Sequence, residues 1–260
     1  MDSSLIATER KGSVEIIRLN RPEKFNALSR EMIFALSDTF KNLENDIELR
    51  AVILTAAGDH AFCAGTDISE LVELEPGDAE AVSKRGQSLC NQIESFPVPV
   101  IAAINGIAAG GGCELALACH LRVASSGASF SLPETKLGII PAYGGTQRLA
   151  RAIGSGRAVE MMLTGKTVGA EEALQSGLVN RLATAGELLV EAESLANEIA
   201  QLAPLAIRAC LKAVTQGIDL PLADGLALEA ELFAQLFDTE DMREGTRAFL
   251  EKRRPVFKGN

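Results

Sequence analysis

Residues 98–121 read VPVIAAINGIAAGGGCELALACHL, and this stretch restricts the fold of the chain more tightly than any other. Pro97 and Pro99 resist a helical interior, so Val98 to Ile104 is expected as a strand, apolar on both faces and therefore buried. Gly106 and the triplet Gly110-Gly111-Gly112 interrupt it, and a helix opens at the following apolar run. A buried strand, a glycine loop and a helix in succession form the unit of an α/β fold with parallel strands. Glycines at a helix start let the backbone approach a ligand and leave N–H groups without acceptors. Such groups attract a phosphate or a developing oxyanion; the alternative is a tight turn that binds nothing.

Similar units recur loosely at 50–65 and 121–150. Val14 to Leu19 is β-branched and stops at Asn20-Arg21-Pro22, while Ala51 to Ala56 (AVILTA) is a fully buried strand closed by Gly58-Asp59. His120 to Ala124 and Ala128 to Leu132 are two shorter strands. Ser29 caps a helix that carries Met32, Ile33, Leu36, Phe40 and Leu43 at helical spacing. From Glu187 the pattern becomes helical throughout: Leu188, Ala192, Leu195, Ile199 and Leu202 recur at steps of three and four. Pro204 and Pro221 punctuate it, and Leu226 to Phe237 and Met242 to Lys252 are amphipathic. The chain thus divides into an α/β core, residues 1–190, and a helical region, 191–260, within one overall domain. The helical region reads as a lid or an oligomer contact.

Composition removes several function classes. The 260 residues hold 25 Lys+Arg against 35 Asp+Glu, a formal charge of −10, which argues against a phosphate-backbone partner such as nucleic acid. No run approaches the ~18 apolar residues of a membrane span. Met1 to Lys11 carries Asp2 and Glu9 and does not read as a signal peptide. Five cysteines without a CxxC pair fit reduced thiols in a cytoplasmic setting better than a disulfide framework or a zinc ribbon. Only two histidines are present, which leaves no His-rich metal site; His60 and His120 fall at polar strand ends, where exposed, solvated or capping roles are expected. Gly165-Lys166-Thr167 is not a P-loop, because Glu160 stands where its first glycine is required. No Ser/His/Asp triad can be assembled.

Two carboxylates remain. Glu114 lies one turn inside the apolar helix CELALACHL, and Glu134 follows Pro133 just beyond a strand. A carboxylate in apolar surroundings must be paired, or its pKa rises toward neutrality, where it can exchange protons near pH 7. The bland alternative makes Glu114 a cap of its own helix and Glu134 a surface residue.

The segments AFCAGTDISEL (61–71), AINGIAAGGGCELALACHLRVA (103–124) and FSLPETKLGIIPAYGGTQRLARAIG (130–154) resemble the enoyl-CoA hydratase/isomerase, or crotonase, superfamily. RPEKFNALS (21–29), LTGKTVGAEEALQSGLVN (163–180) and REGTRAFLEKRRPVFKG (243–259) extend the likeness along nearly the whole chain. The resemblance implies an α/β fold, a ββα superhelix with C-terminal helices that trimerise, and a homotrimer or a homohexamer of paired trimers. It implies a coenzyme A thioester as substrate, with no metal and no separate cofactor. The backbone N–H groups of Thr66 and Gly111 would hold the thioester oxygen as an enolate forms. Both family glutamates are present, as Glu114 and Glu134, which points to hydration of a trans-2-enoyl-CoA; the alternatives are a double-bond isomerase and a non-catalytic binding protein. Lys24, Phe25, Ala27, Ala64, Asp67, Ile68, Phe257 and Lys258 match segments that contact coenzyme A in the family, the last two in a neighbouring subunit. Three positions depart from the pattern: Thr66 where alanine is common, Ala142 for a frequent glycine, and Tyr143, the only tyrosine, beside the catalytic loop.

Overall fold

The run Ala51–Ala56 is buried along its whole length because each face of the strand meets its own layer. Val52 and Leu54 join Ile17, Leu19, Val100 and Ala102 in a cluster with Leu36, Phe40, Leu89 and Ile93. Ala51 and Ile53 point the other way, to Val14, Ile16, Ile101, Val123 and the helical residues Leu188, Ala192, Leu195 and Ala196. This two-residue alternation, apolar on both sides, is what a parallel strand covered on both faces requires.

The computed structural model describes residues 4–184 and 186–260. The chain opens with a hairpin, β1 (Ile6–Lys11) and β2 (Val14–Leu19), and the helix α1 (Arg30–Leu43), whose first turn is capped by Ser29 Oγ accepting from the Met32 N–H. Three strand–strand–helix units follow. The first holds β3 (Ala51–Ala56), β4 (Ala61–Cys63), the short α2 (Ile68–Val72) and α3 (Ala79–Glu94). The second holds β5 (Val100–Ile104), β6 (Ile107–Ala109) and α4 (Gly111–Ala118). The third holds β7 (Leu121–Ser125), β8 (Ser129–Ser131), a 3₁₀ turn over Glu134–Leu137 and α5 (Gly145–Ile153). Then come α6 (Ser155–Thr164), β9 (Val168–Gly169), α7 (Ala170–Ser176) and β10 (Arg181–Ala183). The remainder is helical: α8 (Leu188–Ala200), α9 (Pro204–Gly217), α10 (Leu222–Leu236) and α11 (Glu240–Leu250).

Each unit contributes its first strand to one sheet and its second to another. The larger sheet has the order β1-β2-β3-β5-β7-β10 and is parallel except for the β1–β2 hairpin. The smaller has the order β4-β6-β8-β9, parallel except where β8 meets β9. The loose repetition at 50–65, 98–118 and 121–150 is therefore architectural, the turns of a ββα superhelix.

The division expected at residue 190 falls inside α8, whose inner face packs on the large sheet. Burying a leucine such as Leu195 is worth about 1.5–3 kcal/mol, so α8 is bound to the core rather than to the helices after it. Helices α9 and α10 pack on each other, and their outer residues Val214, Leu222 and Phe233 remain exposed. No described helix is long and apolar enough to cross a membrane.

Two local expectations need correction. His120 is not an exposed strand end: its Nδ1 accepts the Val100 N–H at 2.9 Å, and its Nε2 lies 3.0 Å from the Glu94 carbonyl oxygen. Burial holds its pKa below the ordinary imidazole value, which suits a neutral ring with the proton on Nε2. His60 is exposed as expected. Glu114 does not cap its own helix; it accepts hydrogen bonds from a different segment, described next.

Candidate active site

Two glycine loops meet at the C-terminal ends of β4 and β6. Gly65 has φ +108°, and a Cβ there would stand 3.0 Å from the Ala109 carbonyl oxygen and 3.4 Å from the Gly111 nitrogen. Only glycine satisfies both the dihedral and that approach. The flanking backbone is tied down: Leu28 N–H donates to Gly65 O at 2.8 Å and Asp67 N–H to Leu28 O at 3.1 Å. Between these bonds the Thr66 N–H has no acceptor among the described residues. Gly111 is the first residue of α4, so its N–H has no intrahelical acceptor either. Thr66 and Gly111 thus present two free N–H donors from converging loops, one at a helix N-terminus.

Glu114 is 2% exposed, on the first turn of α4. Its Oε1 accepts the Tyr143 N–H at 2.8 Å and the Gly145 N–H at 2.6 Å, at the start of α5. Burial pushes its pKa up to about 7, while the Gly145 and Tyr143 amides oppose the rise and the nearby Glu134 adds to it. Glu134, 8% exposed, opens the 3₁₀ turn after β8; its Oε1 would lie 2.9 Å from a Cβ on Gly110, beside the start of α4. Its Oε2 is buried without a hydrogen-bond partner among the described residues, and burial raises its pKa too. A charge on Glu134 disfavours ionisation of Glu114. Two amide donors favour the ionised form of Glu114, and an undonated buried oxygen favours the acid form of Glu134.

The segment that holds Glu114 is itself anchored. Arg148 Nη1 donates to the Tyr143 carbonyl at 3.1 Å, and the same guanidinium reaches both oxygens of Glu94 at 3.1 and 2.7 Å and Asn91 Oδ1 at 2.7 Å. Ser83 and Gln87 of α3 donate to the Ala142 carbonyl at 2.7 and 3.1 Å. Nothing in the sequence pattern singles out Arg148; only the fold brings it to this turn.

Thr66, Glu114, Glu134 and Tyr143 share a cavity of about 540 Å³. Its remaining wall is mostly apolar: Leu71, Leu74, Pro76, Ala79, Val82, Ile139, Ile140 and Ala142. A concave apolar site with a few convergent polar groups is the usual form of a small-molecule site. The surrounding segments are arranged unevenly. Ala64 N–H donates to Phe25 O at 3.0 Å, which places the 24–27 turn against the Thr66 loop. Phe25 and Ile68 are each half exposed there, and Lys24 is exposed. Asp67 is already committed: it pairs with Arg21 at 2.6 Å and caps α2 through Ser69, and those contacts hold its pKa down at about 2. Phe257 and Lys258 do not line the cavity of their own chain. Their tail is held by Asp241, which accepts the Lys258 and Gly259 N–H groups at 2.7 and 2.9 Å. The apolar wall from Leu71 to Val82 had no signal in the sequence beyond scattered apolar residues.

A ββα superhelix carrying paired N–H donors and two buried carboxyls defines the crotonase class of protein. The chain belongs to the enoyl-CoA hydratase/isomerase family, whose sequence profile matches residues 9–260. It is 40% identical over 254 residues to the short-chain-enoyl-CoA hydratase of Clostridium acetobutylicum, covering 98% of this chain and 97% of that one. It is 38% identical to the crotonyl-CoA hydratase of Syntrophomonas wolfei, with 97% of each chain covered. The crystal structure of an enoyl-CoA hydratase from Bacillus anthracis superposes with a TM-score of 0.95 at 40% identity, covering 99% of this chain and 100% of that one.

Proposed function

We propose that this chain hydrates trans-2-enoyl-CoA thioesters to 3-hydroxyacyl-CoA, reversibly, using Glu114 and Glu134 as its proton carriers. One observation carries the reading: two buried carboxyls open on the same cavity as Thr66, next to a pair of unengaged N–H groups. The thioester oxygen accepts from the Thr66 and Gly111 N–H groups. Ionised Glu114 takes a proton from water as its oxygen bonds to C3, and the C2=C3 electron pair moves onto the thioester as an enolate. Protonated Glu134 then delivers its proton to C2. The sum is H–OH across the double bond, and proton return from Glu114 to Glu134 restores the pair. Each donor to the enolate oxygen contributes about 2.7–4 kcal/mol to the transition state in comparable sites. No step calls for a metal or a redox group.

Lys24, Phe25, Ala27, Ala64 and Ile68 form the proposed coenzyme A border on the side of the Thr66 loop. Asp67 supports that border by pairing its carboxylate with Arg21, not as a direct contact to coenzyme A. Phe257 and Lys258 would serve a neighbouring subunit, in a homotrimer or homohexamer built through the exposed apolar residues of α9, α10 and α11. All five cysteines are free thiols, which suits a reducing, cytoplasmic setting.

Incubation with crotonyl-CoA tests the reading. Hydration bleaches the conjugated thioester absorbance, and Glu114→Gln and Glu134→Gln should each slow the bleaching by about 10²–10⁴. Creation of that absorbance from a 3-enoyl-CoA, with crotonyl-CoA left intact, would make the chain an isomerase instead.

A further inference from the structure

Tyr143 is a large aromatic residue placed where the cavity meets the free N–H pair, and it is only 3% exposed. Its ring is seated on α3 at Gly86, where a Cβ would fall 2.0–2.3 Å from the ring atoms Cδ1, Cγ and Cε1. Gly86 lies mid-helix, a position that costs about 1 kcal/mol relative to alanine, and the ring is what occupies the space that glycine leaves. The opposite ring edge closes on the N–H pair: a Cβ at Gly111 would stand 3.2 Å from Cδ2, Cε2 and the Thr66 hydroxyl alike. Behind the ring, the Ala142 and Tyr143 carbonyls are bonded to Ser83, Gln87 and Arg148. The ring therefore has α3 on one side, α4 on the other and an anchored backbone beneath.

We propose that Tyr143, seated on Gly86 beside Thr66, is the specificity-determining wall of the acyl site and limits the substrate to short enoyl groups. The inference rests on the acyl-CoA reading above and adds to it the size of the acyl group. The thioester oxygen is fixed by the N–H pair, so the acyl chain must start beside this ring. What the ring fills, the chain cannot use. A methylene admitted or excluded by an apolar pocket changes kcat/KM by about 10–200-fold, enough for one rigid ring to separate short chains from long ones.

The test is a series of trans-2-enoyl-CoA substrates from crotonyl-CoA to dec-2-enoyl-CoA, with binding of butyryl-CoA and decanoyl-CoA followed by calorimetry. The wild-type chain should favour crotonyl-CoA over dec-2-enoyl-CoA at least about tenfold in kcat/KM. Tyr143→Ala should raise the long-to-short ratio by about tenfold or more, whereas Tyr143→Phe, which keeps the ring, should leave it unchanged. Gly86→Ala pushes the ring into the cavity and should lower the ratio, an opposite sign that loss of folding does not produce. Wild-type turnover indifferent to chain length overturns the proposal, as does a Tyr143→Ala ratio equal to the wild type's. Absence of hydration with butyryl-CoA still bound more tightly than decanoyl-CoA would sink the hydratase reading and leave the wall standing.

Discussion

Glu114 is legible in the sequence because a carboxylate stands out in CELALACHL, and its burial has consequences at both the catalytic and the folding level. Its pKa is about 7 in the folded chain against an ordinary 4.5, so the folded state binds more protons between those values. Stability therefore falls as pH rises from about 4.5 to about 7 and then levels off. Glutamine keeps the acceptor oxygen for the Tyr143 and Gly145 amides but never ionises. Glu114→Gln should then gain about 3 kcal/mol over wild type between pH 4.5 and 8, at about 1.4 kcal/mol per pKa unit, while losing activity. Denaturant melts at both pH values measure this, and equal pH dependence of the two proteins would refute it. The kcat/KM profile of the wild type should show its acid limb near pH 7, displaced from the ordinary carboxylate range; a limb near 4.5 would mean Glu114 is not the base. Asp67 and His120 were not legible in this way. Ser69, two residues on, is a local partner of Asp67, but Arg21, Val100 and Glu94 are partners that no local pattern connects to these residues.

The elements that carry the site differ in how plainly the sequence marks them. Strand β3 stands out because a nearly unbroken apolar run bounded by turns has few other fates, β2 because its β-branched residues stop at a turn, and Ser29 marks the start of α1. Helix α3 is marked less plainly: its buried stripe is Gly86, Leu89, Cys90 and Ile93, half of it small, on an otherwise polar helix. Yet α3 supplies Ser83, Gln87, Asn91 and Glu94, the partners that fix the 142–148 segment directly or through Arg148. Arg148 acts through that segment, as a positioning residue for Glu114, and it also lowers the Glu114 pKa by its charge. Arg148→Gln should reduce kcat about tenfold or more with KM little altered, because a small displacement of a reacting group is costly. The acid limb should also move to higher pH, since both the positive charge and the tight amide placement would be weakened. Arg148→Lys keeps the charge and should restore the limb more than the rate. A lowered rate with an unmoved limb would reduce Arg148 to a merely structural part.

At the scale of the whole molecule, exposed apolar residues occur on the core as well, Ile47 and Val72 among them, but they are most closely spaced on the C-terminal helices. Phe233 and Phe237 stack edge to face with centroids 5.1 Å apart, yet both are at least half exposed, and Phe249 and Leu250 of α11 are 83% and 80% exposed. Helical patterning read from sequence locates these residues but not whether they pack inward or outward; that follows from how α8 is taken up by the large sheet. Apolar surface gathered on one region and left over after folding is the mark of an interface. A second copy of the chain is the economical occupant, because closed symmetry lets one patch satisfy every subunit. Light scattering should accordingly give the mass of a trimer or hexamer at micromolar concentration. Phe249→Asp should reduce that mass without altering the circular dichroism, because a substitution so exposed costs the isolated fold within about 0.5 kcal/mol. If Phe257 and Lys258 complete a neighbouring subunit's coenzyme A border, the same variant should also raise KM more than it lowers kcat, since the acid pair lies within one chain. A wild-type monomer of full activity would remove both the interface and the shared border at once.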